Sequence, residues 1–172
     1  MSGRWKTALH EAGHACAALA LGGTCARLAI CPDGHGMAFI DGLLPFDHAI
    51  TLAAGAAAEG ALGDEPAPPG PEPQSVHARR EAYHPPAEEL SSLAARFPRA
   101  TAVSDERAVA QFSISGLEHE PPERWAQRYY TIHAVASQVV EDHRQQILRL
   151  ARELFRRGEL HEHEISMELA RA

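Results

Sequence analysis

The sequence predicts a mainly α-helical fold with one small β-hairpin, in a single domain spanning 1–172. Three observations predict it. Apolar residues recur at helical spacing through most of the 172 residues. Two short β-prone runs, 26–31 and 37–41, flank the turn signal Pro32-Asp33-Gly34-His35-Gly36. Hydrophobic residues make up 45% of the chain, enough for the core of one ordinary domain.

The elements follow in order. Residues 4–21 read as a helix, with Trp5, Leu9, Ala12 and Cys16 on one stripe and Gly22-Gly23 as its stop. The hairpin comes next. Residues 45–62 read as an alanine-rich second helix. Gly55 and Gly60 weaken it by about 1 kcal/mol each relative to alanine, but their small size allows close helix packing. From 64 to 86 prolines crowd among polar residues, which predicts a mobile loop interrupting the domain. A short helix is expected at 87–97, closed by Pro98, and another starting near Ser104, a reasonable N-cap. Pro121-Pro122 opens one last long helix, because proline suits a first turn. Its apolar face runs from Trp125 and Tyr129 through Val140 and His143 to Leu154 and Phe155, and Gly158 ends it. Residues 161–170 form a final short helix.

Charge and composition exclude several classes. The net charge is -7, which argues against nucleic acid as the main partner. No run approaches the ~20 apolar residues of a membrane span, and no secretory leader is visible. The three cysteines, Cys16, Cys25 and Cys31, include no CxxC pair. They read as reduced thiols of a soluble cytoplasmic protein. Cys25 and Cys31 are conceivable metal ligands, although burial is the commoner fate of such thiols. The single lysine, Lys6, follows Trp5 and not a glycine-rich turn, so there is no phosphate-binding loop.

The residues that carry chemistry are His10-Glu11-Ala12-Gly13-His14. On a helix, positions i and i+4 share a face, so both imidazoles can reach one zinc ion. Glu11 lies one residue along, within reach of a water at that ion. It can take the water's proton and pass it to a leaving amine. The bland alternative is a solvated helix face with two unrelated histidines. A catalytic zinc takes three protein ligands and keeps one place for water. Spacing does not choose the third among Asp33, Asp41, Asp105, Asp142, His133, His143 and several glutamates. His161-Glu162-His163-Glu164 is a second cluster, but alternate residues on a helix point apart, and a polar exposed turn explains it.

The run 7–15 resembles the zinc helix of FtsH-type metallopeptidases. Residues 27–39, with Ile30-Cys31-Pro32 and Gly36-Met37-Ala38, are similar to that family's hairpin. Residues 52–59 are similar to its alanine-glycine helix ending in glutamate. Ser104-Asp105-Glu106-Arg107-Ala108 resembles the segment that supplies an aspartate ligand, and the last fifty residues match in style. The resemblance implies one zinc ion per chain held by His10, His14 and Asp105. For Asp105 the plain alternative is a helix-start aspartate favoured by the dipole. The family's membrane spans and ATPase module are not in this sequence, and 64–86 is foreign to its pattern.

The expected function is therefore zinc-dependent endopeptidase cleavage by zinc-activated water, with Glu11 as general base. Substrates would be unfolded or flexible proteins or peptides, cut without ATP by the isolated chain. Met37, Ala38, Phe39 and Ile40 would bind substrate by strand addition. The sequence leaves open a homo-oligomer or a separate ATPase subunit. The rivals are a non-catalytic zinc- or partner-binding regulatory module of the same fold and a small regulatory protease with one specific partner. Glu11 speaks against the first, since a structural site has no need of it.

Overall fold

The first helix, α1 (Gly3–Ala20), runs through the middle of the molecule. Its residues are apolar on nearly every side, and Trp5, Ala8, Leu9, Ala12, Ala15, Ala17 and Ala18 are fully or almost fully buried. In this computed structural model the described residues are 3–68 and 104–170. Gly22 ends α1 with φ +85°, and the Gly23 N–H donates to the Ala18 carbonyl at 2.8 Å.

Strands β1 (Thr24–Ile30) and β2 (Gly36–Asp41) form the expected antiparallel hairpin, with Leu28 opposite Ala38 and Ile30 opposite Gly36. The turn closes through Cys31 N–H to the His35 carbonyl at 2.7 Å. Helix α2 (Pro45–Leu62) starts on its proline and packs closely along α1. There Gly13 faces the α2 backbone at Ala54 and the methyl of Ala58, so a side chain at 13 would push the helices apart.

The remaining helices are α3 (Asp105–Ile114), α4 (Pro122–Asp142), α5 (Arg144–Arg157) and α6 (Glu162–Ala170), with strand β3 (Glu159–His161) between the last two. The fold is mainly helical, as expected, with six helices among the described residues. The sheet order is β2-β1-β3, all antiparallel.

The structure differs from the sequence reading at several points. The single long helix expected from Pro122 onward is two, broken at His143 (φ −108°, ψ 15°). The apolar period continues through the break, and neither Gly nor Pro marks it. Tertiary packing decides it: α4 lies mainly on α2, while α5 lies on α1. The tail of the hairpin sheet was also missed. Gly158 adopts φ +81° after α5, and the next three residues pair with β1, Leu160 opposite Leu28. Ser104 does sit at the N-cap of α3, but its side chain makes no capping hydrogen bond. The proline-rich stretch is described only to residue 68. Its remainder and the helix expected at 87–97 lie outside the described residues.

The described start of that stretch is not a loose loop. The fully buried Trp5 donates its indole N–H to the Glu65 carbonyl at 2.9 Å, and the Arg144 guanidinium donates to the Glu65 carboxylate at 2.8 Å. Glu65, three residues past α2, thereby joins the start of α1 to the start of α5.

Candidate metal centre

α1 presents His10, Glu11 and His14 at the boundary of the core. Glu11 and His14 are buried and His10 nearly so. The ligand atoms of these three side chains all lie within 4.8 Å of one another, a grouping able to hold a metal ion. The two imidazole rings stand edge to face, with centroids 4.6 Å apart.

α2 holds the outer nitrogen of each ring. His14 Nδ1 lies 2.7 Å from the Thr51 carbonyl, so that nitrogen carries the proton and donates it. His10 Nδ1 lies 3.5 Å from Glu59 Oε2. With Nδ1 engaged, Nε2 of each ring is the nitrogen that faces a ligand, the usual arrangement around metal-binding histidines.

α3 brings Asp105 to the same place. Asp105 Oδ2 is 2.9 Å from His10 Nε2 and 3.3 Å from His14 Nε2. Donor atoms about 2 Å from a tetrahedral ion stand about 3.3 Å apart, so this spacing suits one ion bound to all three. Asp105 is also the first residue of α3, where the helix dipole favours an anion.

The electrostatics of the cluster follow from this crowding. Burial lowers the His10 pKa, but hydrogen bonding to Asp105 and Glu59 and the nearby Glu11 charge outweigh it and raise it to about 9. Burial alone would raise the Asp105 pKa, yet the two imidazoles hold its carboxyl far below the usual range. The site thus favours an ionised Asp105 carboxylate beside the histidine pair.

Two glycines make room. A Cβ at Gly55 would lie 2.4 Å from His14 Cε1, 2.6 Å from His14 Nε2 and 2.8 Å from His10 Nε2. Gly55 therefore faces the histidine nitrogen pair, and its lack of a side chain leaves room there that any larger residue would fill. A Cβ at Gly36 would lie 2.2 Å from Glu11 Oε1. The first residue of β2 thus rests directly on the Glu11 carboxyl.

That contact sets the position of the expected substrate strand. β2 is an edge strand of the sheet, and it begins beside Glu11. Met37 and Phe39 are 41% and 45% exposed, while Ala38 and Ile40 turn inward onto the core.

The other candidates raised by the sequence are occupied elsewhere. Asp33 accepts from the His35 N–H and Asp41 from the Gly42 N–H. Asp142 accepts from Gln138, His143 contacts Gln146, and His133 contacts Glu106. His161 is exposed and beside Glu159, with its backbone N–H donating to Glu164. Cys16 and Cys25 are buried free thiols, pushed up by desolvation to about 12 and about 11, and so are poor metal ligands or nucleophiles.

Three contributors escaped the sequence reading. The Thr51 carbonyl is backbone and carries no residue signature. The position of Glu59 was visible only as the end of a helix resembling a family's. Gly55 was noted for helix packing, whereas it faces the histidines.

A family model described as Peptidase M50B-like matches residues 4–63. This supports a metallopeptidase family and a metallopeptidase role. The matched stretch runs from α1 through the hairpin to the end of α2 and stops before Asp105. It is not the FtsH type that the zinc-helix run resembles, so the resemblance is corrected to the broader class. No curated protein matches the chain.

Proposed function

We propose that this chain is a zinc-dependent metalloendopeptidase that cleaves unfolded or flexible proteins and, as an isolated chain, needs no ATP. The observation that carries the reading is the convergence of His10 Nε2, His14 Nε2 and Asp105 Oδ2, with Glu11 beside them in a buried site.

His10, His14 and Asp105 would hold the ion, two imidazoles and one carboxylate being a common catalytic zinc donor set. A bound zinc ion lowers the pKa of water and polarises the scissile carbonyl. Glu11 takes the proton from the attacking water and delivers it to the leaving amine. The Thr51 carbonyl and Glu59 keep the imidazoles turned with Nε2 inward. Substrate enters as an extended segment, pairing its backbone with the open edge of β2 along Met37, Ala38, Phe39 and Ile40. Backbone pairing needs an extended chain, which is why folded proteins are poor substrates. No described helix is long and apolar enough to cross a membrane. The three free thiols suit a reducing compartment such as the cytoplasm.

The test is a digest with the purified chain alone. Casein should be cut, a stably folded protein should not, a chelator should stop cleavage, and ATP should change neither rate. Binding of zinc without cleavage of casein or of an unstructured peptide library would instead support a non-catalytic module.

A further inference from the structure

Asp105 and Glu106 are the first two residues of α3. Successive residues on a helix point about 100° apart. One carboxylate therefore meets the histidine pair while the next faces α4. Glu106 is well used there. The Tyr129 hydroxyl, on a fully buried ring, donates to Glu106 Oε1 at 2.6 Å. His133 Nε2 lies 3.2 Å from the same oxygen, and its ring stacks at a tilt on Tyr129, 4.4 Å between centroids.

The far end of α3 is held separately. The turn that follows it is fixed by the Trp125 indole N–H to the Leu117 carbonyl and by Arg128 to the Ser115 carbonyl. Its N-terminus has no side-chain cap. Besides Asp105's own contacts with the histidines, the Glu106–Tyr129–His133 cluster is a polar anchor at that end. A hold at this point bears on the rotation of α3 about its axis, the variable that decides whether Asp105 Oδ2 points between the two imidazoles.

We propose that Glu106, held by Tyr129 and His133, is a positioning residue that sets Asp105 for metal binding. The inference rests on the metal centre proposed above. It deepens that reading by adding a support on α4 that the family match, ending at residue 63, does not reach. Partners behind a ligand commonly affect metal affinity by about ten- to a hundredfold.

The experiment titrates Co2+ into the chelator-stripped full chain and follows the visible absorption of the complex. Glu106→Ala and Tyr129→Phe should weaken Co2+ binding by about tenfold or more. Glu106→Gln, which still accepts from Tyr129, should bind as the parent does. Trp125→Phe loosens the other end of α3, so it should lower the melting temperature and leave Co2+ affinity unchanged. In an Asp105→Ala background, adding Glu106→Ala should change affinity no further, because the effect passes through Asp105. Should Glu106→Ala fail to fold, Tyr129→Phe, which removes a single hydroxyl, carries the same comparison.

Parent-like affinity in Tyr129→Phe, an equal loss in Trp125→Phe, or the same added loss in the Asp105→Ala background would overturn the inference. An Asp105→Ala chain that binds Co2+ as the parent does would overturn the ligand assignment beneath it.

Discussion

Gly55→Ala is expected to abolish high-affinity metal binding while the helices still form. The added methyl would sit 2.4–2.8 Å from His14 Cε1 and Nε2 and from His10 Nε2, well inside van der Waals contact. Neither ring has an easy retreat. His14 is tied through Nδ1 to the Thr51 carbonyl on the same helix as Gly55, and His10 lies against Glu59. Relief must come from swinging a ring out of the site or from shifting α2 away from α1. Overpacking of this kind costs about 1–3 kcal/mol of stability. The larger effect should be on the metal, with affinity reduced by about a hundredfold or more once ligand orientation is lost. Gly60 is the control: it lies on the same helix with nothing within 4 Å of its would-be Cβ, so Gly60→Ala should bind metal normally. Competition with a chromogenic chelator measures both variants. Parent-like affinity in Gly55→Ala would mean that the ion does not sit at the histidine nitrogens.

Glu11→Gln is expected to remove hydrolysis and leave the metal in place. Glutamine preserves the shape under the Gly36 backbone, so the hairpin should keep its seat on α1. It cannot accept a proton, and loss of a positioned general base costs about 10²–10⁴ in rate. Zinc content should remain near that of the parent because Glu11 is not among the three expected ligands. Steady-state cleavage of a quenched peptide, with zinc measured on the same sample, separates the two properties. Undiminished cleavage would remove Glu11 from the mechanism, and zinc loss equal to that in His14→Ala would make it a ligand.

What the sequence disclosed, and what it hid, divides along the range of the interactions. His10, Glu11 and His14 were legible because their relation is local: four residues on a helix put two rings on one face. The hairpin was legible because Pro32 to Gly36 is a turn signal between β-prone runs. α2 was legible from its proline start and alanine content. Contacts between distant segments were not. β3 is three residues long and pairs with a strand about 130 residues earlier, so no periodicity marks it. The break at His143 follows from α4 and α5 packing on different helices, and the apolar pattern crosses it unchanged. Glu65 sits in a proline-rich stretch that reads as loop, yet it accepts from Trp5 and pairs with Arg144. Asp105 was singled out from the other candidate ligands only through a family resemblance, and nothing in the sequence marked Tyr129 and His133 on α4 as neighbours of its helix. Tyr129 reads as an ordinary apolar-face aromatic until its hydroxyl is seen on Glu106.

The most direct measurement is zinc uptake by the chelator-stripped protein, read by calorimetric titration and elemental analysis. The parent chain should take up one zinc per chain. His10→Ala, His14→Ala and Asp105→Ala should each lose high-affinity uptake, and His161→Ala and His163→Ala should bind as the parent does. A parent chain that takes up no zinc, or uptake that ignores Asp105 and depends on His161 or His163, would contradict the metal centre described here.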